Sequence, residues 1–371
     1  MERLGRTDIS SFSRVAVIAA LVSVAACTAS SGPTTTTGER SDPSTTTSVV
    51  ATTRAMPTEA DEHVAYVQQA LEIIEEEFYK TDEVDWEPIR EWAFNIVEDN
   101  PSTEGAHQAV DFALRALDAY HTALIRPGGM QDREPSRREP PSGERLEGDI
   151  GYLNLPGISS STSSDQASGY AGQVRQSMEE LDASDPVCGW ILDIRESIGG
   201  RATGDWLGLG PLVGDNLLMH FGRADGAAQS VYYEDGVIRY KGARGEAELP
   251  ARVPPGAYVP ERVDRPIAVL ISSRTGSAGE AIAITFADRP HTRSFGERTG
   301  GATISSEVYE MPDGAFLRIA SGLYQDHNGR GYEQGLPPDE PVRAIRDSED
   351  HVLDAAVEWL HETESCETST G

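Results

Sequence analysis

The stretch Arg265–Gly301, RPIAVLISSRTGSAGEAIAITFADRPHTRSFGERTGG, decides how the rest of the chain is read. Its opening apolar run, Ile267 to Ile271, has the length and β-branched content of a buried parallel strand. Small, flexible residues follow, ending in Thr275-Gly276-Ser277-Ala278-Gly279-Glu280. Ala281, Ile282, Ile284 and Phe286 then continue as a helix. A serine between a buried strand and a helix N-terminus stands clear of the sheet. The unbonded N–H groups of the first helical turn are at hand for a developing oxyanion. The same pattern suits a plain β-to-α turn, where Gly and Ser serve only the backbone. The choice between the two rests on the remainder of the sequence.

Working outward, Ile150 to Pro156 alternates like a strand, and Tyr170, Val174, Met178 and Leu181 share one helical face. Cys188 to Ile194 reads as a second buried strand, followed by a helix-like return over 201–213. Asp235-Gly236 between Tyr232 and Tyr240 is a hairpin signal. Two more hairpins are expected, at Pro312-Asp313-Gly314 and at Asn328-Gly329. A closing helix is expected over 347–361. Strand and helix in alternation, with parallel-type apolar strands, argue for an α/β core.

Upstream, three amphipathic helices are expected: 61–79, 87–98, and one after Pro101 with Ser102 as its N-cap. They define a small helical N-terminal subdomain over 58–127. Residues 128–145, rich in Pro, Arg, Glu and Gly, read as an exposed loop too short for a peptide-binding module. The catalytic unit is assigned to 146–363 and an acidic tail to 364–371.

Residues 1–27 read as a lipoprotein signal peptide. Arg3, Arg6 and Arg14 precede an apolar run too short to span a bilayer permanently, and Val24-Ala25-Ala26-Cys27 resembles a bacterial lipobox. Cys27 would carry the lipid and anchor the chain to the membrane from the extracytoplasmic side. Residues 28–57, rich in Ser, Thr and Pro, make a disordered tether. Of the other two cysteines, Cys188 reads as a buried, inert thiol rather than as a disulfide partner of Cys366. Acidic residues outnumber basic ones 61 to 31, for a formal net charge of -30. That balance repels polyanions and excludes nucleic acid as the natural partner.

Several stretches occur in a telling order. They are Tyr152-Leu-Asn-Leu-Pro-Gly157, Leu192-Asp-Ile-Arg195 through Gly199-Gly200, Gly276-Ser-Ala-Gly-Glu280, Gly296-Glu-Arg-Thr-Gly300, Pro312-Asp-Gly314 and Gly335-Leu-Pro-Pro-Asp339. Over 61–342 the set resembles the S41 serine peptidases, the family of the tail-specific proteases and the tricorn core. The resemblance implies a crotonase-like (ClpP-type) β-β-α core with Ser277 as nucleophile.

A serine hydroxyl needs a base within hydrogen-bond reach. The tail-specific branch uses a lysine just after its Gly-Glu-Arg-Thr motif, where this chain has Ala302. The whole chain has two lysines, Lys80 and Lys241, neither in a matching position. The resemblance then points to the tricorn-like, histidine-dependent branch without a PDZ insert. His121, after Leu117-Asp118, is the expected base. Glu333, before the Gly-x-x-Pro-Asp motif, is the expected orienting acid. The family's serine beside the histidine is replaced: Tyr120 precedes His121 and Thr122 follows it. Tyr120, Thr122 or Asp118 therefore stand as further orienting candidates.

The oxyanion hole is expected from the Ala278 N–H together with Gly199 or Gly200. In that glycine loop Ser197 replaces the family's Asn and Ile198 replaces a glycine. Asp193 and Arg195 are expected to pair and hold the loop, and Glu280 to buttress the helix N-terminus. The implied activity is hydrolysis of peptide bonds in a peptide or protein substrate through an acyl-enzyme, with no metal or cofactor required. The alternative is a non-catalytic protein binding an apolar ligand on the same scaffold, as the retinoid-binding members of the family do. Oligomeric state is left open.

Overall fold

The structure, a computed structural model, describes residues 58–119, 121–129, 139–183, 185–214, 217–226, 228–242, 245–343 and 349–367. The signal peptide, Cys27, the tether, Tyr120 and residues 130–138 of the Pro/Arg-rich loop lie outside these residues.

Three helices come first: α1 (Glu59–Glu77), α2 (Trp86–Asp99) and α3 (Thr103–Ala116). Their starts are set by side-chain caps. Thr58 and Asp61 form a reciprocal capping box on α1, and Ser102 Oγ accepts from Gly105 N on α3. Strands β1 (Ala123–Ile125), β2 (Ser142–Leu146) and β3 (Ile150–Asn154) follow, then α4 (Ser164–Asp182), β4 (Gly189–Asp193) and α5 (Thr203–Val213). An antiparallel excursion runs through β5 (Leu217–Gly222), β6 (Ala228–Glu234), β7 (Val237–Gly242) and β8 (Gly245–Arg252). The chain returns through β9 (Ile267–Ile271), α6 (Ala278–Ala287) and β10 (Thr292–Gly296). It continues as the hairpin β11 (Ile304–Glu310) and β12 (Phe316–Gln325), then β13 (Glu340–Pro341), α7 (His351–His361) and the short α8 (Glu364–Glu367).

One sheet has the order β13-β10-β9-β4-β3-β2, parallel throughout except for the antiparallel edge strand β2. Every residue of β4 and β9 is buried, as expected when both faces are covered. The two-residue period sorts the faces. Ile267, Val269 and Ile271 join the core formed with α4, α5 and α6, while Ala268 and Leu270 pack with Val352, Ala356 and Leu360 of α7. The second sheet, β1-β12-β5-β6-β7-β8 with β11 also on β12, is antiparallel. Asp235 and Gly236 both take positive φ, 51° and 78°, the geometry of a two-residue hairpin turn.

Four expectations are revised. The loop expected over 128–145 gives way at Ser142, where β2 pairs with β3. The closing helix starts at His351, capped by Asp350, rather than at 347. Asn328-Gly329 sits in a turn organised by Asp326, which accepts from the N–H of Asn328 and Arg330 and from the Tyr332 hydroxyl. Only one bridge, Gln325 to Gly331, forms across it. Finally, Cys188 is bonded to Cys366, 178 residues away, with a Cα–Cα separation of 4.9 Å.

The N-terminal helices share a core with the second sheet. Leu71, Ile74, Val97, Val110 and Leu114 pack against Leu317 and Ile319 of β12. A buried contact fastens the two: His107 Nε2 on α3 lies 2.6 Å from the carboxylate of Asp313, in the β11–β12 turn.

Candidate active site

The segment between β9 and α6 is tied down at each step. Thr275 Oγ1 donates to the Ile194 carbonyl at 3.0 Å, Ser272 Oγ to the Arg195 carbonyl at 2.7 Å, and Gly276 N to the Ser197 carbonyl at 3.0 Å. Ser277 follows with φ 49° and ψ −110°, a conformation that suits glycine and strains any residue carrying a Cβ. What holds it there is Glu280, which is fully buried. Its Oε2 accepts from Ser277 N at 2.8 Å, and its Oε1 accepts from Thr299 Oγ1 at 2.6 Å and Gly301 N at 2.7 Å. One carboxylate thus fixes the serine and the Gly-Glu-Arg-Thr-Gly loop together.

Ala278 opens α6, and its N–H makes no hydrogen bond among the described residues. It sits at the positive end of the helix, where negative charge is favoured. Gly199 lies directly against the serine. With φ 108°, it would place a Cβ only 2.8 Å from Ser277 Cβ and 3.5 Å from Ser277 Oγ. At Gly200 the same construction meets the Ile158 carbonyl at 1.8 Å. Of the two glycines, Gly199 is the one packed on the serine side chain. The substitution of Ser197 leaves the loop closed: it is buried, and its carbonyl sits where a Cβ on Gly279 would fall, at 2.3 Å. Ile198 points outward, 57% exposed.

Asp193 and Arg195 form the expected pair, Oδ2 to Nη2 at 2.6 Å, and Tyr152 donates its hydroxyl to Asp193 at 2.7 Å. Tyr324 had no sequence signal. Its buried phenol, pushed up to about 12 chiefly by desolvation, interacts with the Ser277 hydroxyl from the second sheet.

His121 lies two residues before the start of β1, at φ 69°. Thr122 Oγ1 accepts from Ala320 N at 3.1 Å, and β1 pairs with residues 316–318 of β12. The same strand carries Tyr324, so β12 links the histidine segment to the neighbour of Ser277. The His121 imidazole is half-buried, and desolvation, helped by the charge of Arg318, holds its pKa below the ordinary value. A surface cavity of about 600 Å³, lined by Asp111, Leu114, Asp118, Ala119, Thr122 and Leu124 among others, flanks this segment. Glu333, the expected orienting acid, is exposed and pairs with Lys80 at 2.9 Å. Asp118 is exposed as well.

Other bases are engaged elsewhere. Lys241 pairs with Glu234 at 2.6 Å, and His107 with Asp313. His220 faces Ser230 at 2.7 Å, and strand alternation puts it on the opposite side of β5 from Phe221, the partner of Tyr324. No group of three or more His, Cys, Asp or Glu that could hold a metal occurs among the described residues.

The geometry has counterparts in known proteins. Over 299 residues the chain is 24% identical to the nisin-resistance protein of Lactococcus lactis subsp. lactis, covering 80% of this chain and 86% of that protein. A local match of 80 residues, 31% identical, links it to the carboxyl-terminal-processing protease of a Synechocystis strain, 21% of this chain and 19% of that one. A lipoprotein from Streptococcus agalactiae superposes with a TM-score of 0.63 at 21% identity, over 82% of this chain and 97% of that chain. The photosystem II D1 C-terminal processing protease does so with a TM-score of 0.56 at 14% identity, over 82% and 98%. The description Peptidase family S41 matches residues 149–342, just over half of the sequence. The chain therefore belongs to peptidase family S41.

Proposed function

We propose that this protein is a serine peptidase of the histidine-dependent S41 type. Ser277 Oγ attacks the scissile carbonyl carbon while His121 takes the hydroxyl proton. The carbonyl oxygen, now anionic, is held by the Ala278 N–H and the Gly199 backbone at the head of α6. His121 returns the proton to the departing amine, which leaves the acyl group on Ser277. Water, deprotonated by the same imidazole, then releases the acid. The observation that carries this reading is Ser277 itself, a non-glycine residue held at φ 49° by a fully buried carboxylate. Such stored strain clusters at working sites.

The choice of base rests on Ala302 standing where a lysine would be needed, and on both lysines being paired elsewhere. The lowered pKa of His121 keeps the imidazole neutral, the form a base requires, at neutral pH.

The substrate is a peptide or protein, in keeping with membership of a peptidase family. The setting is extracytoplasmic, with Cys27 as lipid anchor. In support, Cys188–Cys366 is a bond that persists in oxidising compartments, and the protein superposes on a lipoprotein. No helix among the described residues is long and apolar enough to cross a membrane.

The test is a peptide library incubated with the purified protein and read by mass spectrometry. Wild type should yield cleavage products and Ser277→Ala none. Intact library with both, and lipid co-purifying with the folded protein, would move the assignment to the apolar-ligand carrier.

A further inference from the structure

The glycine loop is held from a direction the family match does not reach. Asp350, beyond the matched residues 149–342, receives a two-pronged contact from Arg195: Nη1 donates to Oδ1 at 2.7 Å and Nη2 to Oδ2 at 2.8 Å. The remaining edge of the same guanidinium is taken by Asp193, with Nε to Oδ1 at 3.0 Å and Nη2 to Oδ2 at 2.6 Å. A planar donor fork between two carboxylates has little freedom left. Two residues further on, the Ser197 carbonyl accepts from Gly276 N, and Gly199 then rests on Ser277. The path from Asp350 to the reacting hydroxyl therefore runs through one side chain and one short loop.

The other end of the same strand is held by the same C-terminal segment. Cys188, just before β4, is bonded to Cys366, and Arg195, just after it, is held by the residue that caps α7. Between these two ties, Val352, Ala356 and Leu360 of α7 pack on Ile191 and its neighbours. The C-terminal segment thus braces β4 at both ends.

We propose that Asp350 is a positioning residue that sets the oxyanion loop through Arg195. It makes the C-terminal helix part of the catalytic apparatus rather than only a cover for the sheet. The proposal rests on the peptidase reading above. Asp350 touches no reacting atom. It fixes where the Gly199 backbone stands relative to Ser277, and small misplacements of an oxyanion donor are costly because the donor must meet the developing charge without reorganising.

The experiment compares Asp350→Ser and Asp350→Glu with wild type. Serine keeps the N-cap of α7 but cannot reach Arg195, so the helix survives while the fork is lost. Glutamate restores a carboxylate to the fork. In Asp350→Ser, peptide-hydrolysis kcat should fall about tenfold with KM within about twofold of wild type, a fraction of the loss seen when an oxyanion donor is removed outright. Asp350→Glu should recover most of that loss. Hydrogen–deuterium exchange of the peptide spanning 194–201 should speed up at least severalfold in Asp350→Ser, while that of α7 stays as in wild type. Unchanged exchange over 194–201, or an unchanged kcat in Asp350→Ser, would overturn the proposal. Should wild type prove inactive, the peptidase reading fails instead, and the exchange data still decide whether the brace exists.

Discussion

Ser277 occupies a backbone conformation that a glycine would adopt without strain, and it is kept there by hydrogen bonds rather than by its own preference. Ser277→Gly should therefore be more stable than Ser277→Ala by about 1 kcal/mol, with both inactive, as chemical denaturation and peptide cleavage would show. His121 gives a pH signature. Only the neutral imidazole can accept a proton, and burial together with Arg318 favours that form. The acid limb of kcat/KM should consequently fall below pH ~6.5, the value for an unperturbed histidine. Arg318→Gln removes a positive charge that opposes protonation, so it should move that limb upward; no movement would separate His121 from the titrating group. At this scale the Asp193–Arg195 pair was legible in the sequence, because it lies in a short motif whose spacing carries its geometry. Tyr324 was not, since it reaches Ser277 across two sheets and no local spacing encodes that. The pairing of Glu333 with Lys80 was not legible either, since the two residues lie about 250 positions apart.

The β9–α6 unit and the C-terminal helix illustrate what an element can and cannot announce. The continuous apolar run Ile267–Ile271 and the caps at Thr58 and Ser102 mark their elements directly, since burial pattern and capping are local. Strand β2 escaped notice because an exposed edge strand needs no apolar alternation, only a neighbour to pair with. Cysteine pairing is likewise a property of the folded surface: α7 and α8 carry Cys366 back to the start of β4. In the chain-entropy picture a bond closing so long a loop contributes roughly 5 kcal/mol, so reducing it should lower the thermal midpoint markedly, an effect calorimetry with and without reductant would measure. Glu280 is the buried pin of its element. Glu280→Ala strands three donors, those of Ser277, Thr299 and Gly301, and should cost on the order of 3 kcal/mol as well as all activity.

The molecule as a whole joins two sheets and a helical cap through β12, which pairs with the histidine segment near one end and presents Tyr324 to the serine near the other. The helices at 59–116 were legible from their periodicity, but their dependence on the β11–β12 hairpin was not, because the shared core joins residues some 200 positions apart. Cooperative behaviour follows. His107→Ala, which removes the buried partner of Asp313, should lower the stability of cap and sheet together, so far- and near-ultraviolet melting curves should shift as one.

The claim on which the whole account turns is that His121 activates Ser277. The direct measurement is the rate at which a fluorophosphonate modifies Ser277, followed by mass spectrometry in wild type and His121→Gln. The expected result is a single adduct on Ser277 that forms at least a hundredfold more slowly in the variant, in line with the loss of a general base. Modification of His121→Gln at the wild-type rate would contradict it.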